Sequence, residues 1–583
     1  MSPSLKAQAQ ATDATWEAIF NARLNAVIGG SCATLNEAQA QTLQLEFNAI
    51  QKYTILAKRR RNACMGACGL PVEILANIFA FAQVGWTPSL SSRADMKYDF
   101  GWMNVTHVCY LWRSAAIGTA HLWPDIRIMT LPPRMATDIL RRSQRLPLSV
   151  YAHNQRHKHY KENGSHALLP LWLCEPILPR IEKLSFYCEW EEFQDWRLAL
   201  RRPMPSIRDL SIDVFVADWH ELEISDDNFL GGEPIPSLKR LTLGSIALPE
   251  TSPLYSSNLT FLSLSTGPMM EVGMSLPTTA TFRSQLLLMP NLEELRLRDY
   301  LPEPESEISV PHFLFPPAFK KLHVFVSKPD IMYTSYLDFW SQFHTRFTTA
   351  VVAVVSVELT TRGIFIAAAA LAHFIKSGPQ PQELWLSQAA MMSRYSERPR
   401  EAWGTRWDPN ADYPAGQTSL ADWAIDARQG RRLHTGRALA SAFQSRMASA
   451  SLSAINFSGG AVTANNGGDD PAGLWLSRFG GHRAVKRITV PYVLCEKLFN
   501  ALGQKSDDGE AFKLFPALET IVFFHRDGLC DKKLRIGLDV ALFDLLDRRR
   551  ERGTPLRELL VDGAVADWRV WDNIGEGTSV SFF

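Results

Sequence analysis

One short pattern recurs between residues 181 and 561: an apolar residue, two variable residues, a second apolar residue, one variable residue and a third apolar residue. It stands at Ile181/Leu184/Phe186, Ile207/Leu210/Ile212, Leu238/Leu241/Leu243, Leu259/Leu262/Leu264, Leu292/Leu295/Leu297, Phe319/Leu322/Val324 and Val354/Val357/Leu359. It returns at Leu452/Ile455/Phe457, Val485/Ile488/Val490, Leu518/Ile521/Phe523 and Leu556/Leu559/Val561, with Leu384 and Leu386 as a shorter match. Apolar residues on alternate positions share one face of a strand. A single copy cannot bury that face, so the copies must stack to make a core. Several follow a proline-containing turn, as at Pro205-Ser206-Ile207, Pro236-Ser237-Leu238, Pro290-Asn291-Leu292 and Pro516-Ala517-Leu518.

This is the skeleton of a leucine-rich repeat. It predicts short parallel strands joined by helices over about 126–583. The asparagine that normally follows the third apolar position is missing: Gly267 takes its place after Leu264 and Tyr300 after Leu297. Its absence predicts helices on the outer side and an irregular, bent solenoid. The period fails between Leu386 and Leu452, which predicts an insertion over about 389–450. The run GGAVTANNGGDD at 459–470 reads as a flexible loop.

The first part of the chain carries helical spacing instead. Residues 1–33 are rich in small residues, with a break at Gly29 and Gly30, and predict poor order. Thr34-Leu35-Asn36-Glu37 reads as a capping box opening a helix over 34–68, whose Lys58-Arg59-Arg60-Arg61 suits the negative end of the helix dipole. In Leu70-Pro71-Val72-Glu73-Ile74-Leu75-Ala76-Asn77-Ile78-Phe79, the proline fits a first helical turn and Ile74, Leu75, Ile78 and Phe79 make a wide apolar stripe. A polar stretch over 87–99 follows. Val105, Val108, Cys109 and Trp112 then predict a second apolar helix ending near Arg113, and Ala120-His121-Leu122-Trp123-Pro124 closes the segment.

Taken together, Leu70-Pro71-Val72-Glu73-Ile74-Leu75 with Ile78-Phe79, then Val105-Thr106-His107-Val108-Cys109 with Leu111-Trp112-Arg113, then Leu122-Trp123, resemble the F-box over 69–125. The likeness is to fungal F-box proteins with a leucine-rich C-terminal region, and extends to Ile139-Leu140-Arg141-Arg142-Ser143 and Leu146-Pro147-Leu148-Ser149-Val150. The fold expected is therefore α/β: a small all-α F-box followed by an irregular leucine-rich solenoid. The resemblance implies a non-catalytic substrate-recognition subunit of an SCF-type cullin ubiquitin ligase. Its F-box would bind the small adaptor subunit, and through it cullin, while the solenoid takes a protein substrate. The candidate adaptor-binding residues are Leu70, Pro71, Ile74, Leu75, Ile78, Val105, Val108, Cys109 and Trp112. Some of these must be core, alongside Phe79 and Trp123, and helical periodicity does not divide the set. The alternative is a leucine-rich scaffold working outside any ligase.

Other classes are disfavoured on composition and motif. With a formal net charge of +1, no global field draws the chain to nucleic acid or an anionic membrane. The most apolar stretch, Phe347 to Ile375, is interrupted by Glu358, Thr360, Thr361 and Arg362, and reads as a buried strand followed by a buried helix. No basic-then-apolar leader opens the sequence, so an intracellular location, cytoplasmic or nuclear, is expected, with the eight scattered cysteines reduced. No phosphate loop, G-x-S-x-G, H-E-x-x-H or paired Cys-x-x-Cys motif is present. An unrecognised enzyme is the remaining rival, and neither cofactor nor metal is expected. His153, His157 and His159 read as a solvated run, Cys64 and Cys68 as structural thiols, and Trp385 and Trp475 as packing residues.

Overall fold

Helical spacing governs the first quarter of the chain and strand alternation the rest, and the fold follows that division. The computed structural model describes residues 3–28, 35–90, 98–153, 172–215, 229–246, 248–249, 251–266, 276–303, 315–327, 352–357, 366, 369–370, 380–387, 390–404, 423–426, 452–466, 470–506, 509, 511–525 and 532–583. It is an α/β protein with a helical N-terminal region and a largely parallel sheet, divided into two units, 1–151 and 152–583. The first unit thus runs past residue 125, where the F-box likeness closes.

The first unit begins with α1 (Pro3–Ile28) and α2 (Glu37–Ala63). Residues 3–28 are helical where the sequence reading expects poor order; alanine-rich sequence favours helix, and α1 gains partners on α2. Leu24 is buried, Arg23 meets Glu46 at 2.6 Å, and Gln39 Nε2 donates to the Val27 carbonyl at 3.3 Å. The capping box is real but displaced. Asn36 is the cap, its side chain accepting from the Gln39 amide while the Gln39 side chain accepts from the Asn36 amide. Thr34 lies outside the described residues.

Pro71 caps α3 (Val72–Gly85) rather than entering its first turn, and its carbonyl accepts from the Ile74 and Leu75 amides. The expected polar loop contains a short antiparallel pair, β1 (Ser89–Leu90) with β2 (Tyr98–Asp99), so the segment is not all-α. Gly101 follows at φ 54°, where a β-carbon would overlap the Trp86–Pro88 backbone; this close approach lets the Trp102 amide reach the Trp86 carbonyl at 2.7 Å. The second expected helix is two pieces. A 3-10 stretch, Gly101–His107, ends before Cys109, whose extended backbone caps α4 (Tyr110–Gly118). Then come β3 (Asp125–Arg127), α5 (Ala136–Arg142) and β4 (Leu148–His153), with β3 and β4 parallel. The core of this unit gathers Leu75, Phe79, Trp102, Val105, Ala115, Ala116, Leu122 and Trp123. The Trp102 and Trp123 rings lie 5.0 Å apart, and Trp123 Nε1 donates to the Ala116 carbonyl at 2.8 Å.

The second unit runs through β5 (Ile181–Glu189), α6 (Trp190–Arg197), β6 (Asp209–Phe215), β7 (Arg240–Gly244), β8 (Phe261–Ser265), α7 (Thr279–Leu287), β9 (Glu294–Arg298), β10 (Lys321–Val326) and β11 (Val352–Val357). It continues with β12 (Glu383–Leu386), β13 (Ala390–Arg394), β14 (Trp423–Asp426), β15 (Ala454–Phe457), α8 (Gly459–Asn465), α9 (Pro471–Phe479), β16 (Arg487–Pro491), α10 (Glu496–Leu502), β17 (Thr520–Phe524), α11 (Lys532–Glu551), β18 (Glu558–Val561) and β19 (Ser579–Phe582).

Strands β5 to β11 pair in sequence order, all parallel, and so do β15 to β19. The register matches like with like. Leu184, Leu210, Leu241, Leu262, Leu295 and Leu322 are successive partners, as are Ile455, Ile488, Ile521 and Leu559. All ten are buried. Carbonyls just before the strands tie neighbours together: Arg208 accepts from the Lys239 and Arg240 amides, and Lys486 from the Glu519 and Thr520 amides.

Three expectations change here. In β11, Leu322 faces Ala353 and Val324 faces Val355, so the repeat sits four residues before the Val354/Val357 assignment. A run of valines offers several equivalent frames, and only pairing with β10 selects one; Leu359 lies outside the described residues. The insertion is part of the sheet: β14 pairs parallel with β11, β13 pairs antiparallel with β14 and with β12, and β12 pairs parallel with β15. Most of 389–450 lies outside the described residues. The expected loop at 459–470 instead contains α8, capped by the Ser458 side chain, and ends at Asp470, which caps α9. These caps supply acceptors for helix-start amides and overcome the weak helical preference of glycine. Among the described residues, no helix is long and apolar enough to cross a membrane.

Candidate protein-docking face

Helix α3 has two apolar faces, and its unit covers only one. Leu75, Ala76 and Phe79 point inward, and Gln83 Nε2 donates to the Leu122 carbonyl at 3.2 Å on the same side. Ile74, Ile78 and Phe81, spaced by four and three residues, share the opposite face. They are exposed, Ile78 at 43% and Phe81 at 81%, with Val72, Val84 and Trp86 also exposed along the same helix and its C-cap. On either side of the break at Cys109, Val108 (57% exposed) and Tyr110 also face outward.

The nine candidate residues therefore separate by burial. Pro71, Ile74, Ile78 and Val108 are exposed; Leu70, Cys109 and Trp112 are half-buried. Leu75 and Val105 are core and cannot meet a partner directly, a correction to their assignment. Leu75 lies on the inward face of α3, and for Val105 the cause is the break in the second helix. Val105 lies on the 3-10 segment turned inward, and Val108 on the turn that points away. Trp112 spans both roles: its ring lies 5.3 Å from Phe79, and its Nε1 donates to the Ala67 carbonyl at 3.2 Å. Phe81 and Val84 were missed, although Phe81 continues the spacing of Ile74 and Ile78.

The second unit presents a different surface. Opposite the buried leucine row, Ser185, Ser211, Thr242 and Ser263 stand in register on β5 to β8, and the row continues as Arg296 and His323. A row beside it carries Asp213, Gly244, Ser265 and Arg298. The Asp213 carboxylate lies over Gly244, where a β-carbon would collide with it. Burial raises the Asp213 carboxyl, opposed by the Arg298 guanidinium. His153 Nε2 and the Ser185 hydroxyl are 2.9 Å apart. His157 and His159 lie outside the described residues.

From β12 onward the same face is covered. Glu383 Oε1 accepts from Arg487 Nη2 at 2.8 Å, Arg398 Nε at 3.0 Å and Asn456 Nδ2 at 3.0 Å, and Glu383 Oε2 accepts from the Arg398 amide at 2.9 Å. Burial alone would raise this carboxyl, but the Arg487 and Arg398 charges hold it below the usual range. Arg398 lies over the Trp385 ring and Arg487 over the Trp403 ring, each at 4.6 Å, and Arg400 pairs with Glu558. Nothing in the sequence pattern announced this network, because its paired members are up to 158 residues apart. The cleft beside it, between Trp385, Trp403, Thr489 and Phe583, encloses about 20 Å³. That is room for about one water. Trp475 is buried, its Nε1 donating to Asn466 Oδ1 at 3.0 Å. Among the described residues, no group of three or more His, Cys, Asp or Glu side chains is placed to hold a metal ion.

A scan against protein-family models returns no match, and no curated protein matches the chain.

Proposed function

We propose that the chain is a substrate-recognition subunit of an SCF-type ubiquitin ligase, with the α3–α4 surface docking on the adaptor and the sheet of the second unit receiving a protein substrate. The observation that carries the reading is the uncovered apolar side of α3. A helix that buries Leu75 and Phe79 within its own unit has no folding reason to carry Ile74, Ile78 and Phe81 outward. Burying such side chains in a partner's groove is the usual source of affinity in a helix-mediated interface. The F-box likeness of the same residues gives the partner. On this reading, Ile74, Ile78, Phe81 and Val108 make the contact, Pro71 and Trp86 flank it, and Leu75 and Val105 support it from beneath. The half-buried polar rows on β5 to β10 suit a hydrogen-bonded protein segment better than a small apolar molecule.

The test is capture of purified adaptor by the full chain, wild type against Ile78→Asp/Val108→Asp, with circular dichroism as the folding control. Two charges placed in an apolar contact should cost about 4 kcal/mol, roughly a thousandfold in affinity. Wild-type capture, lost in a folded double variant, supports the reading. A folded wild-type chain that does not bind the adaptor overturns it in favour of a scaffold outside the ligase.

A further inference from the structure

Cys68 and Cys109 are 41 residues apart in sequence, yet their sulfurs lie 3.7 Å apart in the first unit. Both are partly exposed. Cys188 and Cys495 are buried, and Cys64, four residues before Cys68, is exposed. The two paired sulfurs have different surroundings. Cys109 caps α4, and its sulfur accepts the Trp112 amide at 3.5 Å, so it faces the positive end of a nine-residue helix. Cys68 sits in the Gly66–Cys68 turn between α2 and α3. Partial desolvation, and then the adjacent Cys109 sulfur, push the Cys68 thiol up.

We infer that Cys68 and Cys109 form an oxidisable thiol pair, with Cys109 the sulfur that reacts with a hydroperoxide and Cys68 the one that resolves it to a disulfide. With hydrogen peroxide, the Cys109 sulfur attacks one peroxide oxygen. An S–O bond forms, the O–O bond breaks, and the departing hydroxide takes the Cys109 proton to become water. The Cys68 sulfur then attacks the Cys109 sulfur. The S–S bond forms as the S–O bond breaks, and the leaving hydroxide takes the Cys68 proton as a second water. Two thiols are oxidised and one peroxide is reduced. The sulfurs must close from 3.7 Å to ~2.05 Å, a movement within reach of side-chain rotation in a turn and at a cap. The bond ties the turn before α3 to the start of α4, and would hold the two edges of the exposed apolar surface together.

The experiment treats the full-length reduced chain with hydrogen peroxide at a dose that oxidises free glutathione. It then blocks remaining thiols and maps all cysteines by mass spectrometry. The expected result is one Cys68–Cys109 cross-linked peptide pair, reversed by dithiothreitol, with the thermal midpoint of the oxidised chain shifted upward. Cys68→Ser should halt the reaction at a sulfenic acid on Cys109, trapped by dimedone, while Cys109→Ser should leave Cys68 alkylatable. Serine is itself a good helix cap, so the second variant keeps the start of α4. The inference fails if both thiols alkylate fully after treatment, if the cross-link involves Cys64 instead, or if dimedone labels Cys68 in the Cys109→Ser variant as strongly as Cys109 in the other.

Discussion

At the scale of single residues, Leu75 and Ile78 lie on the same helix, and their environments give them opposite roles. Leu75 is fully buried and Ile78 is 43% exposed. Leu75→Ala should destabilise the first unit by about 2–5 kcal/mol, because it removes buried methyl groups and leaves a cavity. Ile78→Asp should change stability by no more than about 0.5 kcal/mol while, on the proposed function, weakening adaptor capture by about thirtyfold. Urea melts of both variants beside the binding assay separate the two roles. His323 is a second case. Burial first, and the Arg296 guanidinium next, push its imidazole down to about 4, so it is neutral at pH 7 and its 3.7 Å approach to Glu294 is not then an ion pair. The unfolded side chain titrates near about 6.5 and binds the proton that the folded form refuses. Stability should therefore fall as pH drops from about 6.5 toward 4, by a total on the order of 3 kcal/mol. His323→Gln should flatten that dependence in urea midpoints measured at pH 7 and pH 5.

At the scale of elements, the segment after β13 folds onto the face of β12, β15 and β16 and is held by charge. Glu383, buried on β12, receives Arg398 from that segment and Arg487 from β16. Removing one partner from such a group leaves buried charge uncompensated. Glu383→Gln should cost about 3–5 kcal/mol at pH 7. The carboxyl is held low in the folded chain, so its contribution is complete above the ordinary carboxylate range near about 4.3 and is lost as pH falls through the lowered value. Acid unfolding followed by tryptophan fluorescence should show this step in the wild type and not in Glu383→Gln. Trp385 and Trp403, stacked on the two arginines, are the local reporters.

At the scale of the whole molecule, the second unit is largely a row of parallel strands, each hydrogen-bonded to its neighbours. Stability in such a row is carried by nearest-neighbour interfaces. Ile521, buried on β17 between Ile488 of β16 and Leu559 of β18, is a suitable place to test this. Ile521→Ala should cost about 2–5 kcal/mol locally. Hydrogen exchange should show amide protection lost over β16 to β18 and retained over β5 to β8. Uniform loss across all strands would mean that the unit unfolds as one cooperative block.

The repeat was legible because its information is local: Leu184, Leu210, Leu241 and Leu262 each sit in their own apolar triplet, and backbone pairing then aligns the triplets. Helical spacing likewise announced α3 and its wide apolar stripe, but not that the stripe divides into a buried and an exposed side. What the sequence left open were choices made by contacts between distant residues. Nothing near Val355 says which valine of β11 faces the core; β10 decides it. Nothing near Cys109 announces its extended backbone, which splits the second helix and sends Val105 inward and Val108 outward. The entry of β13 and β14 between β11 and β12 is a choice among pairing partners. The meeting of Glu383 with Arg487, and of Cys68 with Cys109, depends on chain returning from 104 and 41 residues away. Periodicity alone determined which residues share a face; only tertiary packing decided which face is covered, because burial belongs to the neighbours a residue acquires and not to its spacing along the chain.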